Sequence, residues 1–226
     1  MTLTCQALSF MCIGIMQVTS HHIPRKAKGH GGERREEILS HALRLISEAG
    51  VHNVSTRQIA HAVGISQPTL YAYFPNRHAI VGEVGLRAFA ALAEQMRAAV
   101  SASNTARDCL TAVARNYVMF GLEQPDAYRV AFMIEARDSE EKGGEDIVLS
   151  AGVETFAIHR QCVSAFLCAD TADGEVTMIA QSMWASLHGL VSLLIARPGF
   201  PWADQQALID HHIEVMTKGY ALREKP

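Results

Sequence analysis

Between residues 56 and 77 the chain concentrates side chains that donate hydrogen bonds to phosphate: Thr56, Arg57, Thr69, Tyr71, Tyr73 and Arg77. Contacts of that kind fix the register of a protein on a duplex without reading its sequence. Gln67 stands at the entry of a short predicted helix, where its amide matches adenine N6 and N7; the Thr69 methyl group matches that of thymine. Elsewhere chemistry-bearing residues are sparse. His159 and Cys162 stand at i, i+3 with Cys168 beyond them, Trp184 and His188 at i, i+4, and His211 and His212 are adjacent, hence on different faces. Two ligands do not make a metal site, and no GxSxG, HExxH or glycine-rich phosphate loop occurs. The expectation is a chain with no catalytic set, no metal and no cofactor. Tyr117, Phe120, Tyr128, Phe132, Met133 and Phe156 are candidates for the wall of an apolar, adaptable cavity.

These residues sit on a succession of helices. Ile38, Ala42, Leu45, Ile46 and Ala49 recur at helical spacing behind an acidic start at Glu33, and Gly50 ends that helix. Ser55 and Gln58 form a capping-box pattern for a second helix, and Gly64 supplies a tight turn. Ser66 caps a third helix with Pro68 in its first turn, and Pro75 breaks it before Asn76 caps the next. Two short helices around a glycine turn are a helix-turn-helix, whose protruding second helix fits a major groove about 12 Å wide. Further helices are predicted over 77–100, 105–120 (ending at Gly121), 125–135, 147–167, 173–196 and 201–222, with a polar loop at 138–146. No strand alternation and no repeat is found, so the expected fold class is all-α.

Composition agrees. Hydrophobic residues are 49% and charged residues 19% of 226, enough for a core and unlike a disordered chain. Net charge is −3, but residues 1–100 carry +4 and residues 101–226 carry −7, so only the first part is suited to an anionic partner. Arg25, Lys26 and Lys28 lie in a basic, breaker-rich stretch, read equally as a solvated tail or as an arm that enters a minor groove. No run of 18 apolar residues is found, which argues against a membrane span. Five cysteines without CxxC spacing fit a reducing, cytoplasmic setting.

The run from Ser55 to Arg77 resembles the DNA-binding domain of TetR-family transcriptional repressors. Thr56, Ile59-Ala60, Gly64-Ile65-Ser66, Thr69-Leu70-Tyr71, Tyr73-Phe74 and basic Arg77 carry the resemblance over residues 33–93. Arg77 stands where lysine is usual, and Val63 where alanine is. Trp184, His188 and Gly189 resemble the Trp-His-Gly signature of one subgroup's regulatory domain. Composition gives a flexible, basic-ended extension over 1–32; the resemblance implies a DNA-binding domain over 33–93 with its motif near 56–75, and a helical regulatory and dimerisation domain over 94–226. It places Thr56, Arg57, Gln67, Pro68, Thr69, Tyr71, Tyr73 and Arg77 against double-stranded operator DNA. It also implies a homodimer joined by the last two helices and a cavity for a small-molecule effector, with Tyr117, Phe120, Phe132, Met133, Phe156, His159, Trp184 and His188 as candidate lining. The stripes Ile179, Met183, Leu187, Leu190, Leu194 and Leu208, Ile209, Ile213, Met216, Tyr220 are the expected dimer seam. A thiol-responsive regulator using Cys162 or Cys168 is the alternative; a helical enzyme lacks its motifs.

Overall fold

The computed structural model describes residues 31–50, 53–133 and 147–221. The basic stretch with Arg25, Lys26 and Lys28, the predicted loop at 138–146 and residues 134–135 of the predicted sixth helix lie outside them. The described residues form α1 (Gly31–Ala49), α2 (Thr56–Val63), α3 (Gln67–Tyr71), α4 (Arg77–Ala102), α5 (Ala106–Glu123), α6 (Pro125–Phe132), α7 (Ile147–Phe166), α8 (Asp173–Ala196) and α9 (Gln205–Ala221), with no strand among them.

Side-chain caps set most of the starts. The Ser55 N–H donates to Gln58 Oε1 at 2.8 Å and the Gln58 N–H donates back to Ser55 Oγ at 3.3 Å. Ser66 Oγ accepts from the Thr69 N–H, Asn76 Oδ1 from the Ala79 N–H and Thr105 Oγ1 from the Asp108 N–H. Each such cap contributes about 1 kcal/mol. Gly64 takes a left-handed φ of 73°, and the Ile65 N–H closes back on the Ala60 carbonyl. That bond stops α2 abruptly and lets α3 leave at a steep angle.

Three predicted boundaries move. α6 ends at Phe132, with Met133 as its C-cap, short of the predicted Glu135. Gly121 does not end α5, which continues to Glu123 and stops only where Pro125 opens α6. α9 starts at Gln205 rather than Pro201, because the Trp202 indole N–H donates to the Arg197 carbonyl and holds a turn, after which Asp204 Oδ1 accepts from the Ala207 N–H.

The helices bury two cores. Ile38, Ala42, Ile46, Ile59, Val63, Leu70 and Phe74 pack with Ile80 and Val84 of α4 and Val130 of α6. Leu110, Val113, Val118, Phe120, Tyr128, Val163, Met183, Val191 and Ile213 pack with Leu92 and Met96 of α4. Thus α4 enters both cores, its first half in one and its second half in the other, and α6 enters both as well. Arg35 strengthens the α1–α4 contact, with its guanidinium 4.2 Å above the Phe74 ring and 3.3 Å from Glu83. Arg87 pairs with Glu36 across the same two helices, and Ser47 of α1 donates to Asp126 of α6.

The expected dimer stripe is corrected. Ile179, Met183, Leu187, Leu190 and Leu194, with Ile209, Ile213 and Met216, are buried inside the chain's own second core. α8 is long and apolar enough to cross a bilayer by length and composition, yet eight of its side chains are buried in this core. It is apolar on two faces, and the core takes one. The face left outside carries Met178, Ala185, Gly189 and Leu193, and Val215 is exposed on α9.

Candidate nucleic-acid surface and apolar cavity

The residues singled out between 56 and 77 come together around α2, α3 and the start of α4. Thr56, Gln67 and Tyr71 form a polar triangle: the Gln67 amide N–H groups donate to Thr56 Oγ1 at 3.1 Å and to the Tyr71 hydroxyl at 3.2 Å, and those two oxygens are 3.2 Å apart. Thr56, Tyr71 and Arg77 line one hollow with Ser55 and Asn76, so the N-termini of α2 and α4 both border it, a setting that favours an anion. Arg57, Pro68 and Thr69 are exposed, the last with its hydroxyl 2.7 Å from Ser66 Oγ. Tyr73 is half-buried, and its carbonyl accepts from Arg35 at 3.0 Å. Phe74 and Leu70 are core.

The second feature is a cavity of about 410 Å³ bordered by α4, α5, α6, α7 and α8, within the ~300–1,000 Å³ span of ligand pockets. Five aromatic side chains wall it, one from each helix: Phe89, Tyr117, Phe132, Phe156 and Trp184. Phe89 meets Phe132 edge-on with centroids 5.0 Å apart. Leu92, Met96, Val113 and Leu187 add aliphatic surface, and Thr155, His159 and Gln181 are polar. No Asp, Glu, Lys or Arg lines it among the described residues.

Of the predicted lining, Tyr117, Phe132, Phe156, His159 and Trp184 are in the wall, and Phe120, Tyr128, Met133 and His188 are not. Phe120 points into the solid core, and Met133 caps the end of α6 in solvent. His188 stands behind the wall, with its Nδ1 2.5 Å from the Tyr128 hydroxyl and 3.2 Å from that of Tyr117. Burial lowers the His188 pKa and raises both phenols, Tyr128 to about 12 and Tyr117 further. All three groups are therefore neutral at pH 7. One proton arrangement satisfies the set: the Trp184 indole donates to the Tyr117 oxygen at 3.2 Å, Tyr117 donates to Tyr128 at 3.0 Å, and Tyr128 donates to His188 Nδ1. This chain of bonds ties α5, α6 and α8 together behind the cavity. Phe89, Leu92 and Met96 escaped sequence reasoning because their spacing on α4 is that of any core stripe.

Comparison with known proteins bears on both features. The family model for bacterial regulatory proteins of the tetR family matches residues 38–84, and that for the tetracyclin repressor-like C-terminal domain matches residues 110–216. The first holds the helix-turn-helix, and the second holds most of the cavity. The chain belongs to the TetR family of transcriptional regulators. This TetR-family chain is 36% identical over 56 residues to the class D tetracycline repressor of Escherichia coli, spanning about a quarter (26%) of that protein's length and 25% of its own. It is 25% identical over 190 residues to the HTH-type transcriptional regulator BetI of Brucella canis, covering 82% of the chain and 92% of BetI. In fold it is similar to the ketosteroid transcriptional regulator KstR2 of Mycobacterium tuberculosis, with TM-score 0.64 at 19% identity over 82% of this chain and 95% of that one. It is similar also to a tetR-family regulatory protein from Rhodococcus RHA1, with TM-score 0.67 at 15% identity over 83% and 97%.

The described cysteines of this TetR-family chain are free thiols. Cys162 faces Cys109 of α5, with the two Sγ atoms 2.9 Å apart, and Cys168 is exposed. Burial pushes the Cys162 thiol up to about 12, so at neutral pH it stays protonated and is a poor nucleophile. No group of three or more His, Cys, Asp or Glu side chains that could hold a metal is found among the described residues.

Proposed function

We propose that the chain is a homodimeric, cytoplasmic repressor that binds operator DNA through residues 33–93 and is released by a small effector held by residues 94–226 together with Phe89 and Leu92 of α4, without catalytic activity of its own. One observation carries this reading. α6 belongs to both parts: Ala131 and Phe132 line the cavity, while Val130 is buried in the core of the helix-turn-helix and Asp126 accepts from Ser47 of α1. An effector that displaces Phe132 moves the support on which α1 rests. It weakens DNA binding to the extent that it prefers the displaced state. Trp184 and His188 then serve the wall and its backing network, and the exposed face of α8 serves the dimer.

DNA selected from a random pool by the full chain is the test. A dimer presents two recognition helices, so the selected sites should be partly palindromic; a single asymmetric half-site would count against it. Variants then separate the roles of Thr56, Arg57, Gln67, Pro68, Thr69, Tyr71, Tyr73 and Arg77. Arg77→Ala should weaken all sequences alike and reduce the slope of log K against log salt by roughly 0.9 for each phosphate it ceases to neutralise. Gln67→Ala should relax preference at one position of each half-site, by about 1–3 kcal/mol, and leave the salt slope nearly unchanged. Fluorescence anisotropy on the selected site and a single-base variant, at several salt concentrations, reads both. A flattened slope from Gln67→Ala would assign its amide to bracing the phosphate hollow through Thr56 and Tyr71.

A further inference from the structure

The polar side-chain atoms of the cavity wall are spent on the protein, except for the amide of Gln181, which is exposed to solvent, and one buried atom. The Trp184 and Tyr117 donors are committed to the chain of bonds that ends on His188. The Thr155 hydroxyl donates to the Ala151 carbonyl at 2.8 Å. Nε2 of His159 lies 3.2 Å from the Ala180 carbonyl. A carbonyl only accepts, so Nε2 carries the proton and Nδ1 holds a bare lone pair. His159 is 5% exposed and lines the cavity, and no partner for Nδ1 is found among the described residues. Nor is Nδ1 sealed off within the protein: the one fully enclosed, unpartnered side-chain oxygen or nitrogen among the described residues is Ser192 Oγ. His159 borders the cavity, which offers Nδ1 open space beside the ring.

We propose that the cavity takes an uncharged, largely hydrocarbon molecule bearing a hydroxyl or N–H group, seated with that donor on Nδ1 of His159. The proposal rests on the effector reading above and narrows it to a chemical class. A buried acceptor without a partner costs free energy that a donor on the ligand recovers. The aromatic and aliphatic walls supply the rest of the contact, at a volume of about 410 Å³. Among the described residues a carboxylate finds no cation in the wall and would meet the His159 lone pair with its own, and a quaternary ammonium finds no carboxylate and has no N–H to offer. Burial holds the His159 pKa down to about 4, so the imidazole stays an acceptor throughout the neutral range.

Calorimetric titration of the full chain without DNA tests this with four probes that share a hexyl chain: 4-hexylphenol, its methyl ether, 4-hexylbenzoate and hexyltrimethylammonium. The phenol should bind about tenfold more tightly than the ether, the difference made by one satisfied buried acceptor, and neither ion should surpass the ether. His159→Leu should bring the phenol down to the ether and leave the ether unchanged. Nitrogen NMR of histidine-labelled wild-type chain gives a readout independent of the variant's folding: the Nδ1 resonance of His159 should move with the phenol and stay with the ether. Equal affinity of phenol and ether, tighter binding of either ion, an unmoved Nδ1 resonance, or no binding by any probe would overturn the proposal. Phenol binding without release of selected DNA would support the ligand class and remove the effector switch alone.

Discussion

Leu193→Arg is expected to yield a folded chain that sediments as a monomer at micromolar concentration. Leu193 is 52% exposed, one turn beyond Gly189, where an added Cβ would meet nothing within 4 Å. Within the isolated chain the arginine reaches water, and the substitution stays inside the roughly ±0.5 kcal/mol typical of surface positions. Across a dimer seam built on this face of α8 the same charge is buried without a partner, at about 3–5 kcal/mol. Leu187→Arg is the contrast. Leu187 is 1% exposed in the second core, so its replacement should destroy the fold rather than the association. Sedimentation with a thermal melt separates the two, and a Leu193→Arg dimer as tight as wild type would take the seam off this face.

Gly121→Ala should lower the melting temperature. A Cβ at residue 121 would stand 2.4 Å from Val191 Cγ1 and 3.0 Å from the Tyr128 ring. Helix propensity favours alanine here by about 0.8–1.0 kcal/mol, so the sign depends on whether the neighbours yield. Val191 is fully buried and β-branched, with one strongly preferred rotamer in a helix; Tyr128 is held by its bonds to Tyr117 and His188. Overpacking of this kind costs about 1–3 kcal/mol, and the steric term wins. Set against the propensity gain, the net destabilisation reaches at most ~2 kcal/mol, or roughly 4–8 °C at that limit for a chain of this size. Val191→Ala in the same chain should restore part of that stability by opening the space; a melt raised by Gly121→Ala alone would show that α5 and α8 separate easily.

What could be read from the chain depended on the range of the interaction. Caps and turns are local, so Ser55 with Gln58, Gly64, Ser66, Asn76 and Thr105 announce themselves within a few residues, and the helix-turn-helix was legible in full. Gly121 misled because a glycine retained for close approach looks the same in sequence as one that ends a helix. The α8 stripe misled for a related reason: periodicity says that Ile179, Met183 and Leu187 share a face, but not whether the chain itself or a second copy covers it. The cavity was half legible. Tyr117, Phe132, Phe156, His159 and Trp184 draw attention by type, whereas Phe89, Leu92 and Met96 become lining only because side chains from four other helices stop short of them. Pairings across the chain, such as Cys109 with Cys162, leave no local trace.

The sharing of α4 and α6 between two cores has a consequence for anyone who would exchange parts among such regulators. A crossover at residue 93, where the sequence resemblance to the DNA-binding domain ends, cuts through the middle of α4. It transplants Ile80 and Val84 while leaving Val130 and Asp126 behind in the recipient. A borrowed head would rest on a side chain chosen for another surface, and its response to effector would fail before its grip on DNA. A graft that carries the residues of α6 facing α1 along with the head keeps the lever and its load from the same source.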